Sequence, residues 1–227
     1  MKAPVSGKVL APRLPEDITD GPDDGVELEP GAEWVGREIR GDFSERVGNR
    51  VEITGCRFVG TRLSAATLER ASIIDTVFRS CELSGAVLGQ ASLTRVEFLG
   101  CRMLGVVAPQ AVFRDVRFSE CRLATANLRM TAAERIEFDH CDLTDADFYA
   151  ARLSHARLFD CDLSGVEFSQ AKLDGARFHG STLANLKGAA SLRGVTIDTT
   201  QILPMAHQVF GALGLTVDDE RDPEIIC

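Results

Sequence analysis

The chain has 227 residues, 44% of them hydrophobic, and its 25 basic and 34 acidic side chains give a formal charge of −9. That length supports one sizeable core. The lack of any run of about 18 apolar residues excludes a membrane-spanning helix. The opening MKAPVSGKVLAPRLPED is too polar for a secretory signal, and an acidic surplus argues against direct nucleic-acid binding. A cytoplasmic protein is expected.

Residues 1 to 25 set Pro4, Pro12, Pro15 and Pro22 among the acids Glu16, Asp17, Asp20, Asp23 and Asp24. No periodicity accompanies them, so the segment reads as a disordered acidic tail. Residues 26 to 40, VELEPGAEWVGREIR, hold the only tryptophan. Val26, Leu28, Trp34 and Ile39 are expected to cap the open end of the repeating body that follows.

From residue 41 onward a bulky apolar residue returns at every fifth position. Of the 29 such centres between Phe43 and Leu183, 26 are Phe, Leu, Ile or Met; Gly48, Ala108 and Ala133 are the exceptions. Two residues before each centre stands a small residue. From Val51 to Ser181 all 27 are Ala, Cys, Val, Ile, Thr or Ser, so neither set admits a charge.

A period of five fits neither an α-helix, where five residues advance about 500°, nor a flat strand, where an odd step changes face. Three extended residues followed by a two-residue corner fit it, with the small residue and the centre both pointing inward. Four such sides close a coil of twenty residues, and the twenty-residue period is visible independently. Phe58, Phe78, Phe98, Phe118, Phe138 and Phe178 fall on one side, with Leu158 standing in once. Cys81, Cys101, Cys121, Cys141 and Cys161 fall on the next. The expected fold is all-β, a quadrilateral β-helix of about seven coils over residues 41 to 180, with a last partial coil reaching residue 198.

Segments such as Ala146-Asp147-Phe148-Tyr149-Ala150 and Cys161-Asp162-Leu163-Ser164-Gly165 resemble the repeats of the pentapeptide-repeat proteins. The resemblance covers residues 41 to 198 and implies a right-handed solenoid. The unbroken register is similar to the loopless mycobacterial quinolone-resistance type. Quinolone-resistance members of this family bind type II DNA topoisomerases, are thought to imitate duplex DNA, and dimerise through their C-terminal ends.

Six of the seven cysteines, Cys56 and the five of the column, sit at small inward positions, where they act as small hydrophobes rather than as disulfide, metal or redox groups. His140, His155, His179 and His207 stand apart, and no catalytic, cofactor or metal-ligand spacing is found, so an enzyme is not expected. In residues 199 to 215, Ile202, Met205, Ala206, Val209, Phe210 and Leu213 follow helical spacing, closed by Gly214. Part of this stripe caps the final coil. The rest is expected to pair with a second copy in a two-fold homodimer. Residues 216 to 227 read as an acidic tail.

Charge is uneven along the body. Residues 131 to 180 hold 5 basic and 10 acidic groups, all the acids at outward positions. Asp142 stacks on Asp162 and, on the adjoining side, Asp147 on Glu167. With Glu137, Asp139, Asp145 and Asp160 they form the candidate partner-binding stripe. Two readings stand: a face built for a partner, or a solvated face relieved by Arg122, Arg152 and Arg157. The functional expectation is a non-enzymatic imitator of DNA that binds gyrase or a related type II topoisomerase and modulates it or protects it from quinolone-type inhibitors. The alternative is a scaffold for an unrelated protein, docking through Leu99, Leu104 and Val107 or the tails; Val112 also points outward nearby.

Overall fold

The computed structural model describes residues 7–20 and 27–215. Residues 1–6, 21–26 and 216–227, which take in the expected cap residue Val26, the expected C-terminal acidic tail and Cys227, lie outside the described residues. The body is a parallel β-solenoid. Its longest strands, β6 (Ser72–Arg79), β7 (Ser92–Leu99), β8 (Val112–Ser119) and β9 (Ala132–Asp139), pair in steps of twenty, so that Phe78 faces Phe98 and Phe98 faces Phe118. Shorter strands extend the sheet at both ends: β4 (Glu52–Thr54), β5 (Arg57–Val59) and β10 (Arg157–Phe159). The other two sides carry single bridges, among them Asp142 with Asp162 and Asp147 with Glu167.

The five-residue step has a visible cause. Every fifth residue turns a corner in the left-handed region, with φ between 50 and 62 at the non-glycine corners. Such a conformation costs an L-residue about 1–2 kcal/mol. Each corner is held by its neighbour coil; Asp145 N–H, for example, donates to the Ser164 carbonyl at 2.9 Å. The four sides can be named by their centres: A with Leu143 and Leu163, B with Phe148 and Phe168, C with Leu153 and Leu173, and D with Leu158 and Phe178. Sides A and B adjoin, and C and D lie opposite them.

The interior is layered as the twenty-residue period requires. The rings of Phe58, Phe78, Phe98, Phe118 and Phe138 form one stack with centroids 4.4 to 4.8 Å apart and planes within 16° of parallel. Leu158 continues that column, fully buried, while Phe178 stacks across the core on Phe168, 5.6 Å away. Among the described residues the six cysteines are buried and free. Cys101, Cys121 and Cys141 each donate their thiol to the carbonyl 23 residues earlier, at 3.4 Å. Burial also pushes the Cys56 thiol up from its usual range.

The first exceptional centre is explained by a contact outside the repeats. Leu28 occupies the space that a side chain on Gly48 would need. At Ala108 the missing volume leaves a void of about 20 Å³ among Leu88, Phe113 and Leu128, too small for a ligand.

The N-terminal segment departs most from the tail expected for residues 1 to 25. Residues 7–20 lie along the corner between sides C and D. Val9 is buried, Pro15 packs over Gly36 and Gly55, and β1 (Thr19–Asp20) pairs with β3 (Arg37–Ile39). Order comes from the body, which supplies acceptors for the backbone N–H groups of Leu10 and Arg13. Trp34 lies in β2 (Glu33–Val35), which pairs with β4. Its ring packs 5.5 Å from Phe43 and 5.9 Å from Phe58.

At the other end, α1 (Ile202–Ala212) lies across the final coil. Gln201 and Gln208 complete this cap. Gln201 Nε2 donates to the carbonyls of Phe178 at 2.5 Å and Ser181 at 2.6 Å, and Gln208 bridges the Leu186 N–H and the Leu183 carbonyl. These are the orphan groups of the last open edge.

Candidate functional site

The acids of sides A and B are fixed by their own backbone. Asp142 and Asp162 each accept the N–H of the residue two positions on, Thr144 at 3.1 Å and Ser164 at 2.9 Å. On side B, Asp147 accepts from Tyr149 at 2.8 Å and Glu167 from Ser169 at 2.6 Å. A carboxylate just before a corner makes this local bond readily. One oxygen of each group is therefore tied down; the other faces outward on Asp162 and Glu167, whereas on Asp147 it is taken by Arg129. At the A–B corner Asp145 is exposed and leans over Gly165, whose lack of a side chain gives it room. At the D–A corner Asp160 leans likewise over Gly180.

The D–A corner also brings Asp139, His140 and Asp160 together, with potential ligand atoms within 4.8 Å of one another. His140 Nδ1–H donates to the Asp139 carboxylate at 3.0 Å, and this hydrogen bond raises the His140 pKa. Ligand spacing along the sequence misses this group, because stacking makes a separation of twenty as close as one of three.

Glu137 does not belong to the stripe. It points from side D and is buried between Arg117, 3.0 Å away, and Arg157, 3.4 Å away. The outward position expected for it is real, but two flanking guanidiniums close over it. Asp147 keeps its place and holds Arg129 at 2.8 Å, the guanidinium lying 4.2 Å from the centre of the Tyr149 ring.

The cations expected to relieve the stripe divide by side. Arg122 precedes Asp142 on side A, but Arg152 stacks with Lys172 on side C and Arg157 with Arg177 on side D. Over the same two coils the rod is therefore anionic on two adjoining sides and cationic on the opposite two. Asp139, Asp142, Asp145, Asp147, Asp160, Asp162 and Glu167 make up the anionic part. Seven carboxylates over roughly 10 Å compare with about 6 phosphates on duplex DNA of that length.

The apolar positions do not form one patch. Leu99 lies at the D–A corner, Leu104 at the A–B corner and Val107 on side B, all around side A, whereas Val112 lies apart on side C. On α1, Met205 is buried and Val209 partly so, both against the core. Ile202, Phe210 and Leu213 are 59%, 41% and 69% exposed, and Leu203 and Leu215, absent from the expected stripe, are exposed with them. Between α1 and the last coil runs an apolar cleft of about 430 Å³, lined by Phe178, Leu192, Val195 and Met205 among others.

A four-sided parallel β-solenoid with ordered charge on its faces is the class these features define. The chain belongs to the pentapeptide-repeat family: the family's sequence profile, a pentapeptide repeat region, matches residues 51–128 and 131–203. Comparison with curated proteins returns no match. Among solved structures, a trypsin-treated form of QnrB1, a plasmid-mediated fluoroquinolone resistance protein, is 22% identical, with 83% of this chain and 98% of that one covered and a TM-score of 0.40. HetL, a pentapeptide repeat protein involved in heterocyst differentiation regulation in the cyanobacterium Nostoc sp. strain PCC 7120, is 20% identical over 73% of this chain and 85% of its own, with a TM-score of 0.37. Among the described residues no helix is long and apolar enough to cross a membrane.

Proposed function

We propose that this protein is a non-enzymatic binding rod that imitates duplex DNA and occupies the DNA-binding surface of gyrase or a related type II topoisomerase in the cytoplasm. It modulates that enzyme or shields it from quinolone-type inhibitors. The observation that carries the reading is the pair of in-register acidic columns, Asp142 over Asp162 and Asp147 over Glu167, on sides that adjoin each other and face away from Arg152 and Lys172. Like charges stacked on neighbouring strands are mildly destabilising, so their retention in two adjacent columns favours a task for them. The family resemblance supplies the target.

The protein acts as a two-fold dimer through α1. The exposed Ile202, Phe210 and Leu213 and the cleft beside them offer an apolar surface of the kind such a dimer needs. That symmetry joins the two acidic segments into one central anionic stretch, flanked by the more basic N-terminal coils.

A supercoiling assay with purified gyrase, with and without a quinolone, tests the reading. The protein is expected to alter supercoiling or drug-stabilised cleavage at micromolar concentration. The quadruple variant Asp142→Lys, Asp147→Lys, Asp162→Lys, Glu167→Lys is expected to require at least about 100-fold more protein, since like-charge juxtaposition costs several kcal/mol. An unchanged effect in that variant would show the acidic faces to be the wrong site. No effect of the wild-type protein at all would remove the topoisomerase from the account.

A further inference from the structure

The corner opposite the acidic faces carries a second built feature. Down the C–D corner, twenty residues apart, run Asp75, Arg95, Asp115 and Arg135. Arg95 grips Asp75 with two hydrogen bonds of 2.6 Å, and Arg135 grips Asp115 with bonds of 2.6 and 2.7 Å. Asp115 is 2% exposed. Each aspartate has an acceptor left, and each spends it on the same segment: Asp75 takes the Arg13 N–H at 2.9 Å and Asp115 the Leu10 N–H at 3.1 Å.

The spacing matches an extended chain. Two coils separate the aspartates, about 9.6 Å at the usual inter-strand distance, and three extended residues span about 10 Å. Between the two acceptors the ladder presents Arg95, which can only donate. The arm crosses that level at Ala11 and Pro12, and proline has no N–H to place. Backbone groups thus provide the fit, while the arm's side chains are mostly exposed and only Val9 is buried.

We propose that this corner is a second recognition surface, a track for an extended peptide backbone, which residues 8–15 occupy in cis and which the same segment of a second copy takes in trans. Two charge-assisted backbone bonds, the buried Val9 and the packing of Pro15 over Gly36 and Gly55 make a hold firm enough to order the arm and weak enough to be exchanged. The track lies on the side of the rod away from Asp142 and Asp147, so it operates independently of the topoisomerase reading.

The test keeps the full chain and removes only the two donors. In the variant Leu10→Pro, Arg13→Pro the arm can no longer bond to the track. A fluorescein-labelled peptide of residues 7–17 should bind this variant at least tenfold more tightly than wild type, whose own arm competes. The same peptide N-methylated at Leu10 and Arg13 should lose at least tenfold, and so should the unmodified peptide with Asp75→Asn, Asp115→Asn added to the variant. The proline variant should keep the wild-type effect on gyrase. Equal binding of the methylated peptide, or no binding to a variant whose circular dichroism is native, would overturn the proposal. If the variant does not fold, hydrogen exchange on wild type decides instead. Amides of residues 10 and 13 should exchange more slowly than in the free peptide yet far faster than core strand amides; exchange at the free-peptide rate would overturn it equally.

Discussion

Replacing Phe98 by alanine removes the middle ring of a five-ring stack. The side chain is 1% exposed and lies 4.8 Å from the rings of both Phe78 and Phe118, within 10° and 3° of parallel. Truncating a buried phenylalanine costs about 3–5 kcal/mol. Two stacked pairs, each worth about 0.5–1.5 kcal/mol, place this site at the upper end, near 5 kcal/mol. The column itself supplies a control, because Leu158 fills the equivalent position and is fully buried. Phe98→Leu keeps much of the apolar volume but loses both stacked pairs, and should cost about 1–3 kcal/mol. Urea denaturation followed by far-ultraviolet circular dichroism measures both, and the gap between the two variants should be about 3 kcal/mol. A loss below about 1 kcal/mol for Phe98→Ala would refute the reasoning, since no interior ring in a layered core can be that cheap to remove.

The C–D corner predicts acid sensitivity. Arg95 holds the Asp75 carboxyl below its ordinary range; at Asp115 burial pushes upward, but Arg135 and the Leu10 N–H outweigh it. Depressed carboxyls contribute stability that is full above about pH 5 and is lost as pH falls through their folded values, because the unfolded chain takes up protons first. Denaturation between pH 6 and pH 3 should show that loss, and Asp75→Asn with Asp115→Asn should flatten it. Gln201→Ala leaves the Phe178 and Ser181 carbonyls without their donor, and should cost about 1–3 kcal/mol. Hydrogen exchange should localise the loosening to the final coil, and uniform loosening would contradict the capping role. Phe210→Glu with Leu213→Glu, both exposed in one copy, should turn a dimer into a monomer in sedimentation velocity while the far-ultraviolet circular dichroism stays native.

The body is legible because one rule governs it. Small residue, outward residue, centre and two-residue corner repeat without a slip, so Phe78 can be placed beside Phe98 by counting. What counting cannot see is contact made by non-repeating residues. Gly48 looks like a gap until Leu28 is found in it. The N-terminal arm has the composition of a tail, and its order depends on carboxylates 62 and 105 residues away. Gln201 and Gln208 read as ordinary helix polars until the orphan carbonyls beneath them are located. At the candidate site the acidic columns are plain from spacing, but the side on which each cation lies is not. Arg152 and Arg157 are near in sequence yet lie on other sides, whereas Arg117 and Arg157 close over Glu137 across neighbouring coils.

Competition with duplex DNA tests the central claim most directly. A fluorescent duplex is bound to the DNA-binding core of gyrase, and the protein is titrated in at low and at physiological salt. The account predicts displacement that saturates at one dimer per DNA site, weakens as salt rises, and disappears with the four-lysine variant. Binding that leaves the duplex in place, or displacement indifferent to reversal of Asp142, Asp147, Asp162 and Glu167, would contradict it.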